Sequence, residues 1–154
     1  SELDTMAKRI GTRAESHCGE SEQRVWQEIR DLPLQADRLV FRVSVPRTAV
    51  AEVLSAVQSW RSGAQDPAIT ADIAMGTVWI VYEPSKLFAG HFSKVIAMAQ
   101  HHRGHAVMFA APAELKQGIE VWGPSPASFS LMREIKQRFD PTGILNPGRF
   151  IGGL

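Results

Sequence analysis

The chain has 154 residues, 44% hydrophobic and 21% charged, with a formal net charge of +1 at pH 7. That length suits a single core, and that balance excludes a disordered or strongly polyelectrolytic chain. Acids and bases are interleaved, so nothing calls for nucleic acid or an anionic membrane, and no apolar run is long enough to span one. Cys18 is alone, which removes any intramolecular disulfide and fits a reducing cytoplasm, the expected compartment. Residues 1–11 are too polar for a secretory signal.

In chain order, residues 1–20 are polar without a sustained period, which predicts a frayed or partly ordered lead-in. Residues 21–32 read as a helix, with Val25, Ile29 and Leu32 on one side and Trp26 beside them. Leu39, Phe41, Val43 and Val45 alternate with Val40, Arg42 and Ser44, the pattern of a half-buried strand that Pro46 ends. Thr48 is placed to cap the next helix, where Val50, Val53, Leu54 and Val57 follow helical spacing and Ser62-Gly63 closes it. Residues 69–74 and 77–82 predict two strands of a hairpin around Met75-Gly76. A second helix carries Phe88, Phe92, Val95, Ile96 and Ala99 and ends near Arg103-Gly104. Residues 105–110 form the fourth strand.

The order β-α-β-β-α-β predicts a ferredoxin-like α+β fold, an antiparallel four-stranded sheet with both helices on one face. The expected division is a lead-in with one helix at 1–36, the ferredoxin-like domain at 37–112, and a terminal helix and tail at 113–154. In that last part Ser125 reads as an N-cap and Pro126 as the first helical residue. Leu131, Met132, Ile135 and Phe139 recur at helical spacing, which predicts one buried face. Asp140 precedes a proline and stops the helix. Asp140-Pro-Thr-Gly143 suits a type I turn, and Asn146-Pro-Gly148 a type II turn with glycine where φ must be positive.

Phe139-Asp-Pro-Thr-Gly-Ile-Leu-Asn-Pro-Gly-Arg149 closely resembles the C-terminal signature of FAD-linked oxidases of the vanillyl-alcohol oxidase type. Val121-Trp-Gly-Pro124, Phe150-Ile-Gly-Gly153, Arg42-Val-Ser-Val-Pro46 and Trp26-Gln-Glu-Ile-Arg-Asp31 resemble the C-terminal (cap) region of the FAD-binding subunit of bacterial glycolate oxidases. The resemblance implies a ferredoxin-like substrate (cap) domain and an Asn-Pro-Gly segment close to the flavin. It makes Asn146 and Arg149 the FAD-proximal candidates and His105 a weaker substrate candidate. The implied partners are a flavin-binding domain or other glycolate oxidase subunits and a small 2-hydroxy acid. No glycine-rich loop opens a phosphate-cradling helix, so FAD is expected only with a separate flavin-binding domain. The chain is then expected to be the C-terminal part of an oxidase subunit, inactive alone.

Other chemistry is thin. His101, His102 and His105 crowd a helix end, with His91 earlier on the same helix. Relatives of the larger glycolate oxidase subunit carry a His-x-Gly-Asp-Gly-Asn-x-His metal motif. Arg103-Gly-His-Ala-Val-Met108 keeps only its glycine and one histidine, with no carboxylate, so a helix C-terminus dressed with favourable cations is the better account and no metal is expected. Asp72, Glu83, Glu114 and Glu120 are scattered, and Ser128 and Ser130 have no base in reach, so no catalytic residue is assigned. Two rivals remain: a stand-alone ferredoxin-like module that binds a ligand or dimerises, and a structural subunit that docks on an oxidase. A tail packed on its own sheet favours the module. A tail with Ile144, Leu145 and Phe150 exposed implies a partner domain.

Overall fold

The structure, a computed structural model, describes residues 2–9, 11, 15–34, 37–60, 66–83 and 88–154, the side chains of 2–4, 88 and 89 aside. It comprises two compact units, residues 1–31 and 32–154. The first holds α1 (Glu2–Arg9) and α2 (Glu20–Asp31). The stretch 1–20, expected to be frayed or partly ordered, thus contains a helix of its own, α1, ahead of the expected one. Lys8 and Arg9 in the last turn of α1 suit the negative end of its dipole. α2 buries none of its residues, and Trp26 and Ile29 are exposed.

The second unit runs β1 (Leu39–Ser44), α3 (Val50–Ser59), β2 (Ala68–Asp72), β3 (Thr77–Tyr82), α4 (Phe88–His101), β4 (His105–Ala110) and α5 (Phe129–Phe139). Its four strands form one sheet in the order β2-β3-β1-β4, every neighbouring pair antiparallel. This is the expected α+β, ferredoxin-like arrangement. Alternation along β1 sends Leu39, Phe41 and Val43 into one core with Val78, Ile80 and Tyr82 of β3 and Met108 of β4. Val50, Val53 and Val57 of α3 and Phe92, Val95 and Ala99 of α4 join the same core, so both helices cover one face of the sheet. Phe41 stacks on Phe92 at 5.4 Å between centroids, and burying such a ring contributes roughly 1.5–3 kcal/mol.

The start of α3 differs from expectation. Arg47–Ala49 form a 3₁₀ turn closed by the Ala49 amide on the Pro46 carbonyl at 2.8 Å, and no side chain caps α3. Thr48 is taken up inside that turn, because Pro46 already sets its entry geometry. The proposed stop at Ser62-Gly63 lies outside the described residues. At the end of α4 the Gly104 amide reaches the Ala99 carbonyl at 2.7 Å and the Arg103 amide the Gln100 carbonyl at 2.9 Å. That is a Schellman cap, with Arg103 at φ 58° in the position usually given to glycine.

The opposite sheet face carries Arg42, Trp79, Val107 and Phe109. Arg42 pairs in register with Trp79 on one side and Val107 on the other, and a register shift lies between Val40 and Phe41. The Val121 carbonyl accepts from the Met108 amide at 2.7 Å, so the segment after β4 lines that strand's outer edge. No helix among the described residues is long and apolar enough to cross a membrane.

Gly76 closes the β2–β3 hairpin against the end of β1. Its carbonyl accepts from the Val45 amide at 2.9 Å, its φ is +68°, and a Cβ would sit 2.1 Å from the Val45 carbonyl oxygen. Gly90, inside α4, has nothing within 4 Å of such a Cβ. Chemical denaturation should therefore find Gly76→Ala destabilised by on the order of 1–3 kcal/mol or more. The same measurement should find Gly90→Ala more stable by roughly 0.5–1 kcal/mol. Equal effects at the two glycines would contradict the close approach at the hairpin.

Candidate functional site

α5 begins later than its sequence suggests. Pro126 heads a turn whose carbonyl accepts from the Phe129 amide at 3.0 Å, and Ser128 rather than Ser125 stands at the cap position without a side-chain capping bond. The proline's fixed φ serves a turn as well as a first helical turn, and here the turn prevails. The helix stops at Asp140, at φ −139° and ψ 64°, as a residue before proline should.

From there the chain doubles back. The Gly143 amide donates to the Asp140 carbonyl at 3.0 Å, closing the first turn. The Asp140 side chain is only 3% exposed and accepts three more bonds. Lys136 Nζ donates to its Oδ2 at 2.5 Å, and the amides of Ile144 and Leu145 donate to Oδ1 and Oδ2, each at 3.0 Å. Lys136 Nζ also donates to the Leu145 carbonyl at 2.6 Å. The second turn closes through the Arg149 amide on the Asn146 carbonyl at 3.2 Å, with Gly148 at φ 71° as a type II turn requires. Asn146 itself is left-handed, φ 46°, a conformation that asparagine tolerates better than most residues.

The tail then returns to the start of α5. Gly152 lies so close to the Phe129 ring that a Cβ there would be 2.3 Å from Cζ, and Phe150 meets the Trp122 ring edge-on at 4.9 Å. The result is a strap held at the end of α5 by Asp140 and near its beginning by Phe129. Between helix and strap is an open groove of about 770 Å³, lined by Met132, Ile135 and Phe139 on the helix and Leu145, Asn146 and Arg149 on the strap.

The buried face expected for α5 is not buried. Leu131 is 55% exposed, Ile135 50% and Phe139 78%, and on the strap Ile144 is 74% and Leu145 59% exposed. Periodicity identifies an apolar face but not what covers it. Phe150 remains 46% exposed despite its contact with Trp122, whereas Ile151 is buried.

A second concavity, also about 770 Å³, opens on the helix-free sheet face beside the strap. Arg42, Phe109, Lys116, Glu120, Trp122 and Arg149 contribute to it. The structure thus brings Asn146 and Arg149 together in one turn, and Arg149 borders both concavities. His105 is exposed at the first position of β4 and lines neither. His102 Nδ1 lies 3.4 Å from a Glu52 carboxylate oxygen, and His101 packs edge-on against His102. Among the described residues no group of three or more His, Cys, Asp or Glu side chains is placed to hold a metal.

Sequence reasoning misses two participants. The Lys136–Asp140 pair has the i, i+4 spacing that signals a helix-surface contact. Arg42 stands in the alternation of β1 as the charged residue on the face away from the core, and that position is the signal for it.

Residues 123–150 match the family model for FAD linked oxidases, C-terminal domain. The matched segment holds the end of the Trp122 loop, all of α5, both turns and Arg149, and supports an FAD-linked oxidase C-terminal domain at this end of the chain. No curated protein and no solved structure matches the chain. Such a family implies FAD in the full enzyme and association with a flavin-binding domain. The residues present fit part of that cofactor. An amide and a guanidinium on a rigid turn suit the polar edge of an isoalloxazine ring. A pyrophosphate finds no cradle among the described residues, for α3 opens behind Pro46 and α5 behind Pro126-Ala-Ser128, neither glycine-rich.

The strap's path titrates. The Lys136 hydrogen bond foremost, then the Leu145 and Ile144 amides, hold the Asp140 carboxyl below its ordinary value of 3.8, while burial pushes the other way. A lowered folded value means that the carboxylate's stabilisation is complete above the ordinary aspartate range. It is lost as pH falls through the lowered value. In amide NMR spectra followed downward from pH 6, Ile144 and Leu145 should shift together below the ordinary aspartate value. Asp140→Asn, which keeps a single acceptor oxygen and loses the charge facing Lys136, should free at least one of the two amides at neutral pH and remove the acid transition. A transition that survives in Asp140→Asn would show that another group holds the strap.

Proposed function

We propose that this chain is the C-terminal cap and strap of a flavin-dependent 2-hydroxy-acid oxidase subunit of the glycolate oxidase type, contributing residues near FAD and inactive alone. The coincidence of the matched segment with the exposed apolar face of α5 and its strap carries this reading. Ile135, Phe139, Ile144 and Leu145 have no covering element among the described residues of the second unit, and a flavin-binding domain would supply it. Because that face and the Asn146–Arg149 turn share one groove, docking there would bring the turn to the flavin.

When bound, FAD serves as the hydride acceptor in such oxidases. The chain's own part is positional and electrostatic. Asn146 offers an amide, and the Arg149 guanidinium, which has no ion pair among the described residues, offers a positive charge to the ring edge that becomes electron-rich on reduction. The apolar face of α5 would exclude water from the same place. His105 is the secondary candidate for contact with a small 2-hydroxy acid, from the helix-free face of the sheet. The rival reading, a self-sufficient ferredoxin-like module, draws support from the Phe150–Trp122 and Gly152–Phe129 contacts, but those leave the 144–145 segment exposed.

Flavin fluorescence separates the two. The chain alone should leave free FAD unquenched. Added to the flavin-binding domain of a related oxidase, it should tighten FAD binding or quench the flavin further, and Arg149→Ala should weaken that effect by roughly tenfold. Tight FAD binding by the chain alone, or no influence on the flavin-binding domain, would sink the proposal.

A further inference from the structure

Two buried side-chain polar atoms lack a hydrogen-bond partner among the described residues, Tyr82 Oη and Arg42 Nε. The tyrosine belongs to the core beneath the helices. Arg42 does not: it lies on the opposite face, where its guanidinium sits 6.0 Å from the Trp79 ring centroid and borders the sheet-face concavity. No ion pair reaches it from any described residue. Three cations, Arg42, Lys116 and Arg149, line that concavity against one acid, Glu120, and no ion pair joins Glu120 to any of them.

A guanidinium offers Nε–H and an Nη–H as a parallel pair, the fork that matches the two oxygens of a carboxylate. Phe109 and Trp122 give the basin apolar walls, which suit a ligand with an organic body better than a bare inorganic anion. The Gly148-Arg149 turn of the strap forms part of its lining.

We infer that this concavity is a binding site for a small organic carboxylate, with Arg42 as the side-on partner of the carboxylate and Lys116 and Arg149 as flanking charges. The site gives the carboxylate of a 2-hydroxy acid a place beside the strap. It rests on the reading above only for which acid is taken; its residues all belong to this chain and need no flavin domain.

The test uses the unmodified 154-residue chain, titrated with sodium acetate and sodium benzoate, with sodium chloride and sodium phosphate at matched ionic strength as comparators. NMR would follow the Arg42 Nε–H and the Trp122 indole N–H. The expected result is a saturable shift of both signals with the carboxylates, larger for benzoate and absent with chloride. Arg42→Gln should raise the apparent dissociation constant roughly tenfold or more, with the other amide signals in place. Non-saturating shifts, equal shifts with chloride, stronger binding of phosphate than of either carboxylate, or undiminished binding in Arg42→Gln would each overturn the assignment. Should Arg42→Gln fail to fold, the Nε–H titration of the unmodified chain decides alone. Because FAD is absent throughout, a failed flavin-docking experiment leaves this result standing, and the reverse holds too.

Discussion

The Asp140 carboxylate, seated at the negative end of α5, accepts from the Lys136 ammonium and from the amides of Ile144 and Leu145. A carboxylate at a helix C-terminus is unfavourable toward the dipole, so the site needs the nearby cation and both amides to hold it. Those donors do more than neutralise. They turn the chain through Pro141-Thr-Gly143 and send it back along α5, so that the Asn146–Arg149 turn has one path. The strap is therefore fixed by polar bonds at one end and by the Phe129–Gly152 contact near the other. Its apolar side chains need not be buried to hold it, and they remain available to something else.

This explains which features were legible in the sequence and which were not. The sheet was legible because alternation in β1 and the Gly76 hairpin are local signals, and the β-α-β-β-α-β order then sets how the distant strands β1, β3 and β4 pair. β3 and β4 run where their residues predict them, 77–82 and 105–110. Both turns of the strap were legible for the same reason, since proline and glycine fix backbone angles by themselves. The start of α5 was not, because Ser125-Pro126 serves equally for a turn and for a helix cap, and only the Pro126–Phe129 hydrogen bond decides. The exposure of Ile135 and Phe139 was not legible either. Helical spacing records that a face is apolar, but the covering partner is a tertiary fact, and the spacing is the same with or without it.

The two concavities divide the chemistry. The groove between α5 and the strap is framed by Met132, Ile135, Phe139 and Leu145, with its polar groups confined to the turn and the Lys136–Asp140 pair. An apolar cleft with polar groups at one end suits a large flat body or another protein surface. The sheet-face basin instead carries three cations and suits a small anion. Arg149 borders both, so a charge placed on either side of the strap is felt on the other. Arg149 is thus the side chain through which the two concavities share their electrostatics.

The orphaned atoms argue in the same direction. A buried donor without an acceptor costs roughly 1–3 kcal/mol, a large part of a small domain's stability. At Tyr82 burial raises the pKa by penalising the phenolate, and the ring packs against Phe41 and His91. At Arg42 the unpaired atom belongs to a cationic guanidinium. Glutamine or threonine would occupy the same register between Trp79 and Val107 without leaving a guanidinium N–H buried and unpaired. An arginine placed there, over an aromatic ring and at the border of an open basin, is a fixed charge held ready for an acceptor that the sheet itself does not provide.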